Sequence, residues 1–222
     1  MILYYLSHKK MIMNGSGLKV IGTASTIAYS DIIESFQNKK HSLISSDDNY
    51  DPLDIVKDYD FIGDPILNEN VLDKYMPLIL RKYIESLDED NRNKIIKAYH
   101  NLEAIIQDSL LLETLPLELD FSEDMKKFLK LENLHLDTNL LKEPYAIIET
   151  ILNIHQMCDL NSVPVFCNVA HYLDKAELVM LDDLLKSMNL KSVLIEFSDN
   201  KSTLFPERVD YYYIDEDLVD WY

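Results

Sequence analysis

Five carboxylates fall close together at Glu113, Glu118, Asp120, Glu123 and Asp124. Hard oxygen donors at this density suit Ca²⁺, which takes six to eight oxygen ligands in loose geometry. The segment is not an EF-hand, because no Asp-rich loop carries the required glycine. An ordinary solvated helix start has the same composition, since acids at that end favour the helix dipole. Three lysines follow directly: Lys126, Lys127 and Lys130. Lys126 and Lys130 stand one helical turn apart and share a face. Arg81-Lys82 and the pair Lys94 and Lys97 are the other basic groups of the middle segment. Solvated helix surfaces are the default reading of all of them. Three lysines alone would not hold DNA at physiological salt, whereas a ring of copies could.

Two further constellations are weaker. His155, Cys158, Cys167 and His171 read H-x2-C…C-x3-H, a spacing compatible with zinc. Cys167 sits inside an apolar run, however, where cysteine behaves as a small hydrophobe. A Cys167–His171 nucleophile would need an orienting acid and an exposed thiolate, and neither is visible. The loop after Gly22 reads Thr23-Ala24-Ser25-Thr26 between a strand and a helix. A working phosphate loop requires G-x-x-x-x-G-K-[ST], and here there is neither the lysine nor the second glycine. Nucleotide hydrolysis is therefore disfavoured, although the fold can still be related.

These groups are set in a chain of 222 residues with formal charge −18, 47% hydrophobic and 27% charged. Such a composition excludes a disordered or collagen-like chain and fits one domain or two small ones. The net charge argues against a general polyanion binder. Charge is nevertheless segregated. Lys9, Lys10, Lys19, Lys39 and Lys40 crowd the first 42 residues, and Asp210, Asp215, Glu216, Asp217 and Asp220 close the chain without a base. Two cysteines do not make a disulfide framework, and a reducing cytoplasm is the expected setting. The apolar run at the start is too short for a secretory leader, and no stretch reaches the ~18–20 residues of a membrane span.

The elements expected to position these groups begin with short strands at 2–6 and 10–13, a turn at Asn14–Gly17, a strand at 18–21 and a helix over 27–37. Residues 47–54 read as an acidic loop, and 59–62 as a strand closed by Gly63-Asp64-Pro65. Helical periodicity runs through 70–87, limited or kinked by Pro77, and again from Asp88 to Leu110. Alternation predicts a half-exposed strand at 115–121. Ser122 is a plausible N-cap for a helix over 125–131. Another short strand is expected at 134–136. Helices over 144–157 and 174–188 alternate with apolar strands at 163–167 and 193–197, and 210–214 reads as the last strand. Strand–helix alternation at both ends predicts parallel pairing in one sheet. The fold expected is an α/β head built from 1–68 and 139–222, with a helical insertion at 69–138.

Several strings, in this order and spacing, resemble the ring-forming Csn-two family of CRISPR type II-A adaptation proteins. They are Gly17–Gly22 (GLKVIG), Leu115–Phe121 (LPLELDF), Val163–Asn168 (VPVFCN), Tyr172–Leu178 (YLDKAEL), Leu190–Phe197 (LKSVLIEF) and Tyr211–Asp217 (YYYIDED). The resemblance spans nearly the whole chain, and residues 38–58 fall outside it. It implies an α/β head like that of a P-loop kinase without a working phosphate loop, in keeping with Thr23–Thr26. It also implies a non-catalytic homotetrameric ring that takes double-stranded DNA ends through a basic central hole. Bound Ca²⁺ would support the ring, and the integrase and effector nuclease of the same system would be partners in spacer acquisition. On that reading Glu118, Asp120, Glu123 and Asp124 are the expected Ca²⁺ ligands. Lys126, Lys130 and Lys127 are the expected DNA contacts, with Lys9, Lys10 and Arg81 behind them. The competing expectations are an acidic protein-interaction adaptor and a P-loop-like nucleotide-binding enzyme.

Overall fold

The structure is a computed structural model that describes residues 1–6, 8–68, 70–112, 114–119, 124–137, 141–198 and 205–221, with Trp221 described by its backbone alone. The chain divides into two compact units: a head of Met1–Leu72 with Thr138–Tyr222, and a helical unit of Asp73–Asp137.

The head begins with β1 (Ile2–Tyr5), β2 (Met11–Ile12), β3 (Gly17–Thr23), α1 (Thr26–Phe36), β4 (Leu43–Ser46), β5 (Pro52–Leu53), the single-turn α2 (Ile55–Asp58) and β6 (Tyr59–Gly63). The helical unit holds α3 (Met76–Ser86), α4 (Glu89–Leu110) and α5 (Met125–Leu131). The head resumes with α6 (Pro144–Met157), β7 (Val163–Cys167), a 3₁₀ turn at Val169–His171, α7 (Lys175–Ser187), β8 (Lys191–Phe197), β9 (Asp210–Ile214) and β10 (Asp220–Trp221).

The larger sheet has the order β10-β9-β3-β8-β7-β6. Five of its strands run parallel, and β10 turns back antiparallel on β9. A parallel sheet covered on both faces needs uninterrupted apolar strands. Accordingly, β7 and the centre of β8 are wholly buried. On one face α1 turns Ala28, Ile32 and Phe36 into a core shared with Leu3, Tyr5, Met11 and Leu43 of a smaller sheet and with Ile21, Val165 and Ile195 of the large one. Helix α7 buries Leu178, Leu181 and Leu185 and packs on β3 and β8.

The smaller sheet is antiparallel, in the order β2-β1-β4-β5. The expectation of one sheet therefore needs correction: the N-terminal hairpin belongs to a second sheet. Part of the supposed acidic loop is β5, pairing Ser46 with Pro52, and β4 is an element that periodicity missed. β4 reads Leu-Ile-Ser-Ser, with Ser45 and Ser46 buried; a serine on the face of Leu43 and another buried on the opposite face hide the alternation.

In the helical unit Pro77 occupies the first turn of α3, where its missing N–H is no loss. Asp88 caps α4 by accepting from the Asn91 N–H at 2.8 Å. Asp124 caps α5 by accepting from the Lys126 N–H at 2.9 Å. Tyr99 of α4 stacks on Phe128 of α5, with ring centroids 3.6 Å apart. Residues 115–119 and 134–136 form no strand, and none of the described strands pairs with them. Asp120, Phe121 and the expected cap Ser122 lie outside the described residues. The strand at 210–214 is followed by one more, β10. Among the described residues no helix is long and apolar enough to cross a membrane.

Candidate functional site

A cleft of about 510 Å³ opens at the carboxyl ends of the parallel strands in the head. This edge is where open α/β sheets characteristically receive ligands, because the loops leaving adjacent strands diverge there. Thr26 enters from the start of α1 after β3, Asp64 follows β6, Asn168, His171 and Tyr172 follow β7, and Phe197 ends β8. Tyr29 of α1 closes one wall, its ring edge-on to Phe197 at 5.4 Å. A second hollow of about 310 Å³ shares Tyr29, Asp64 and Asn168 and reaches Phe61 and Cys167.

Local backbone chemistry aims these side chains. Asn168 is left-handed (φ 59°, ψ 25°), a conformation asparagine tolerates better than most residues. Its N–H donates to the Ile195 carbonyl at 2.9 Å, and its side-chain oxygen accepts from the Tyr29 hydroxyl at 2.9 Å. Asp64 Oδ1 receives the N–H of Ile66 at 3.0 Å and the hydroxyl of Tyr172 at 2.9 Å. Behind the cleft wall Glu196 is only 2% exposed. It accepts the Ala170 N–H at 3.1 Å, which ties β8 to the turn that presents His171.

The electrostatics follow from burial and from two carboxyl groups set close together. Burial pushes the Glu196 carboxyl up to about 7; the backbone N–H groups of Ala170 and Val169 oppose this, and the charge of Asp64 adds to it. Burial, followed by the hydrogen bond to Asp64 and its charge, drives the Tyr172 phenol far above its ordinary value. Tyr29 is pushed to about 12, chiefly by burial. Burial, then Glu196 and Asp64, raise the Cys167 thiol strongly. A thiol held protonated is a poor nucleophile, so Cys167 and His171 do not form a thiolate pair. The cleft is thus acidic, aromatic and stocked with protonated donors, an arrangement suited to holding a ligand.

The loop after β3 contributes no phosphate-binding lysine. Ser25 instead caps α1, its side chain accepting from the Ala28 N–H at 3.4 Å. The zinc spacing is also put to other use. His155 Nε2 lies 3.0 Å from Asp60 Oδ2, and both cysteines are buried.

The expected calcium ligands are only partly described. Glu118 is exposed, and Asp124 uses one oxygen to cap α5. Asp120, Glu123 and the neighbouring Glu113 lie outside the described residues. Among the described residues no group of three or more His, Cys, Asp or Glu side chains is placed to hold a metal ion. Glu118 and Asp124 remain hard oxygen donors of the kind Ca²⁺ takes.

Of the expected DNA contacts, Lys126, Lys127 and Lys130 are all exposed on α5, while Met125 and Phe128 on its other side are buried. None of these three lysines makes an ion pair with a described residue. Arg81 of α3 lies 3.8 Å from Glu85. Lys9 and Lys10 belong to the head. Lys10 Nζ sits 3.1 Å from the Tyr50 hydroxyl and 4.2 Å from that ring's centroid, and the Tyr50 bond raises its pKa. Sequence reasoning singled out Thr26 and His171 for other chemistry and missed Tyr29, Asp64, Asn168, Tyr172 and Phe197 as parts of one cleft. The available signal was a charged or amide residue at the end of an apolar strand, as at Asn168 and Glu196.

No protein-family model matches the chain, and no curated protein matches it. The fold has a solved counterpart. The crystal structure of Stu0660 of Streptococcus thermophilus matches with a TM-score of 0.60 at 12% sequence identity, covering 100% of this chain and 76% of that one. At this identity the likeness is one of fold: an α/β head with a helical part.

Proposed function

We propose that this chain is a non-catalytic protein that binds the ends of double-stranded DNA without sequence preference, as a homotetrameric ring supported by Ca²⁺, in CRISPR spacer acquisition. The observation that carries this reading is the set of three exposed lysines on α5, free of ion pairs with described residues in a chain of net charge −18. The resemblance of the strings from Gly17 to Asp217 to the Csn-two family supports it, and the whole-chain fold likeness to Stu0660 is compatible with it. Four copies would gather lysines around a duplex, and the summed field would supply what three charges cannot. Phosphate contacts position a protein on DNA without reading sequence. Ca²⁺ at Glu118, Asp120, Glu123 and Asp124 would offset carboxylates that otherwise repel each other and the duplex.

Linear and covalently closed circular DNA of identical sequence, compared in Ca²⁺ and in EDTA, test the proposal. Capture of the linear form alone, weakened by EDTA, is expected. Equal capture of both forms, or of neither, overturns it.

One observation favours a second reading, the acidic adaptor. Leu111, Leu112, Leu115 and Leu117 expose 80%, 88%, 67% and 53% of their surface in one stretch of the helical unit. A run of this kind fits a protein partner. A chain that ignores DNA and stays monomeric in Ca²⁺ would select it.

A further inference from the structure

We propose that the cleft at the carboxyl edge of the head's parallel sheet binds a small organic cation, an alkylammonium of a few carbons, through Asp64 and the rings of Tyr29, Tyr172 and Phe197. This site is separate from the lysines of α5 and does not depend on the DNA reading.

Asp64 carries the argument. Its Oδ1 is fully engaged, accepting from Ile66 N–H, Leu67 N–H and the Tyr172 hydroxyl at 3.0, 3.3 and 2.9 Å. Its Oδ2 has no hydrogen-bond partner among the described residues, and Asp64 forms no ion pair there. The carboxylate is thereby held rigidly by one oxygen while the other stays available. Among the described residues no lysine or arginine lines the cleft, and a second carboxyl, Glu196, stands behind its wall.

Charge and shape then narrow the ligand. An anion, phosphates included, meets Asp64 with no lysine or arginine among the described lining residues to offset it, and with only the His171 imidazole at the exposed rim. A neutral apolar molecule would desolvate Asp64 without a counter-ion, which is costly. A divalent metal demands several oxygen ligands, and no set of three candidate ligating side chains exists among the described residues. An organic cation satisfies Asp64 with its N–H or C–H surface and places its charge against aromatic faces, where cation–π attraction operates. The cleft, about 510 Å³, lies within the range of small-molecule pockets and has room for such a ligand.

The test uses the full chain with n-butylammonium, tetramethylammonium and the neutral 1-pentanol, followed by calorimetric titration and saturation-transfer NMR. Both cations should bind at least tenfold more tightly than the alcohol. Asp64→Asn keeps an oxygen for the Ile66, Leu67 and Tyr172 bonds, so its melting temperature should stay close to that of the parent while cation affinity falls at least tenfold. His171→Lys adds a positive charge at the exposed rim and should abolish binding without touching the core. Equal affinity for alcohol and cation, undiminished binding by Asp64→Asn, or no binding of either cation overturns the proposal. Displacement of the ammonium by submillimolar Ca²⁺ overturns it as well, in favour of a metal site.

Discussion

Arg208 Nε lies 2.7 Å from Asp182 Oδ2, joining the segment before β9 to the buried face of α7. Asp182 is only 1% exposed and also takes Lys186 Nζ at 2.7 Å and the Leu18 N–H at 3.1 Å. One carboxylate therefore pins α7, the start of β3 and the approach to β9. Asp182→Ala should cost about 3–5 kcal/mol, because Leu18 loses a buried acceptor and two cations lose their partner. Arg208 is half-exposed, so Arg208→Ala should cost about 1 kcal/mol or less. Urea unfolding of the two variants checks the asymmetry; equal losses would contradict it.

Glu196 makes stability pH-dependent. In the folded chain its carboxyl holds a proton up to about pH 7, against an ordinary value of 4.5. The folded state binds the extra proton, so this contribution is complete below about 4.5 and is lost as pH rises through 7. The difference amounts to about 3 kcal/mol at roughly 1.4 kcal/mol per unit. Glu196→Gln keeps an acceptor for the Ala170 N–H and cannot ionise. Its stability relative to the parent should therefore rise between pH 5 and pH 8, and parallel pH profiles for the two proteins would refute the assignment.

Gly22 is required by a neighbour rather than by its own backbone. A Cβ built there collides with the hydroxyl and ring of Tyr211, whose strand β9 pairs with β3. Gly22→Ala should destabilise by about 1–3 kcal/mol through overpacking. Adding Tyr211→Phe should recover part of that loss, since the hydroxyl is the nearest clashing atom. A thermal-melting double-mutant cycle measures the coupling.

Lys126→Ala with Lys130→Ala tests the DNA reading directly. Both side chains are exposed, so stability should stay within about 0.5 kcal/mol of the parent. The log–log salt dependence of DNA binding should flatten by about 0.9 for each phosphate that is no longer neutralised, uniformly across sequences. An unchanged slope would place the phosphate-binding groups elsewhere.

Much of the head could be read directly from residue order. β7 and β8 are apolar runs that no surface strand would carry, and α1, α6 and α7 show their buried stripes at helical spacing. The caps Asp88 and Asp174 and the placement of Pro77 and Pro144 likewise follow local rules. The strand expected at 115–121, over its described residues 115–119, and the one at 134–136 show where local pattern misleads. Alternation states a capacity to pair, and a strand exists only where a partner ladder is available.

The cleft was the least legible part. Asp64 lies 108 residues before Tyr172, and no local spacing links it to Tyr172 or to the nearby Asn168. They meet because β6 and β7 are parallel neighbours, which brings their carboxyl ends to one edge. The raised carboxyl of Glu196 likewise depends on burial and on Asp64, which no local window contains. Residue order thus determined the helices, the apolar strands, the acidic balance and the lysine face of α5, because each depends on near neighbours and on side-chain chemistry. Strand order, the second sheet and the aromatic, acidic cleft were decided by tertiary structure alone, because each depends on pairing between segments that only the folded chain brings together.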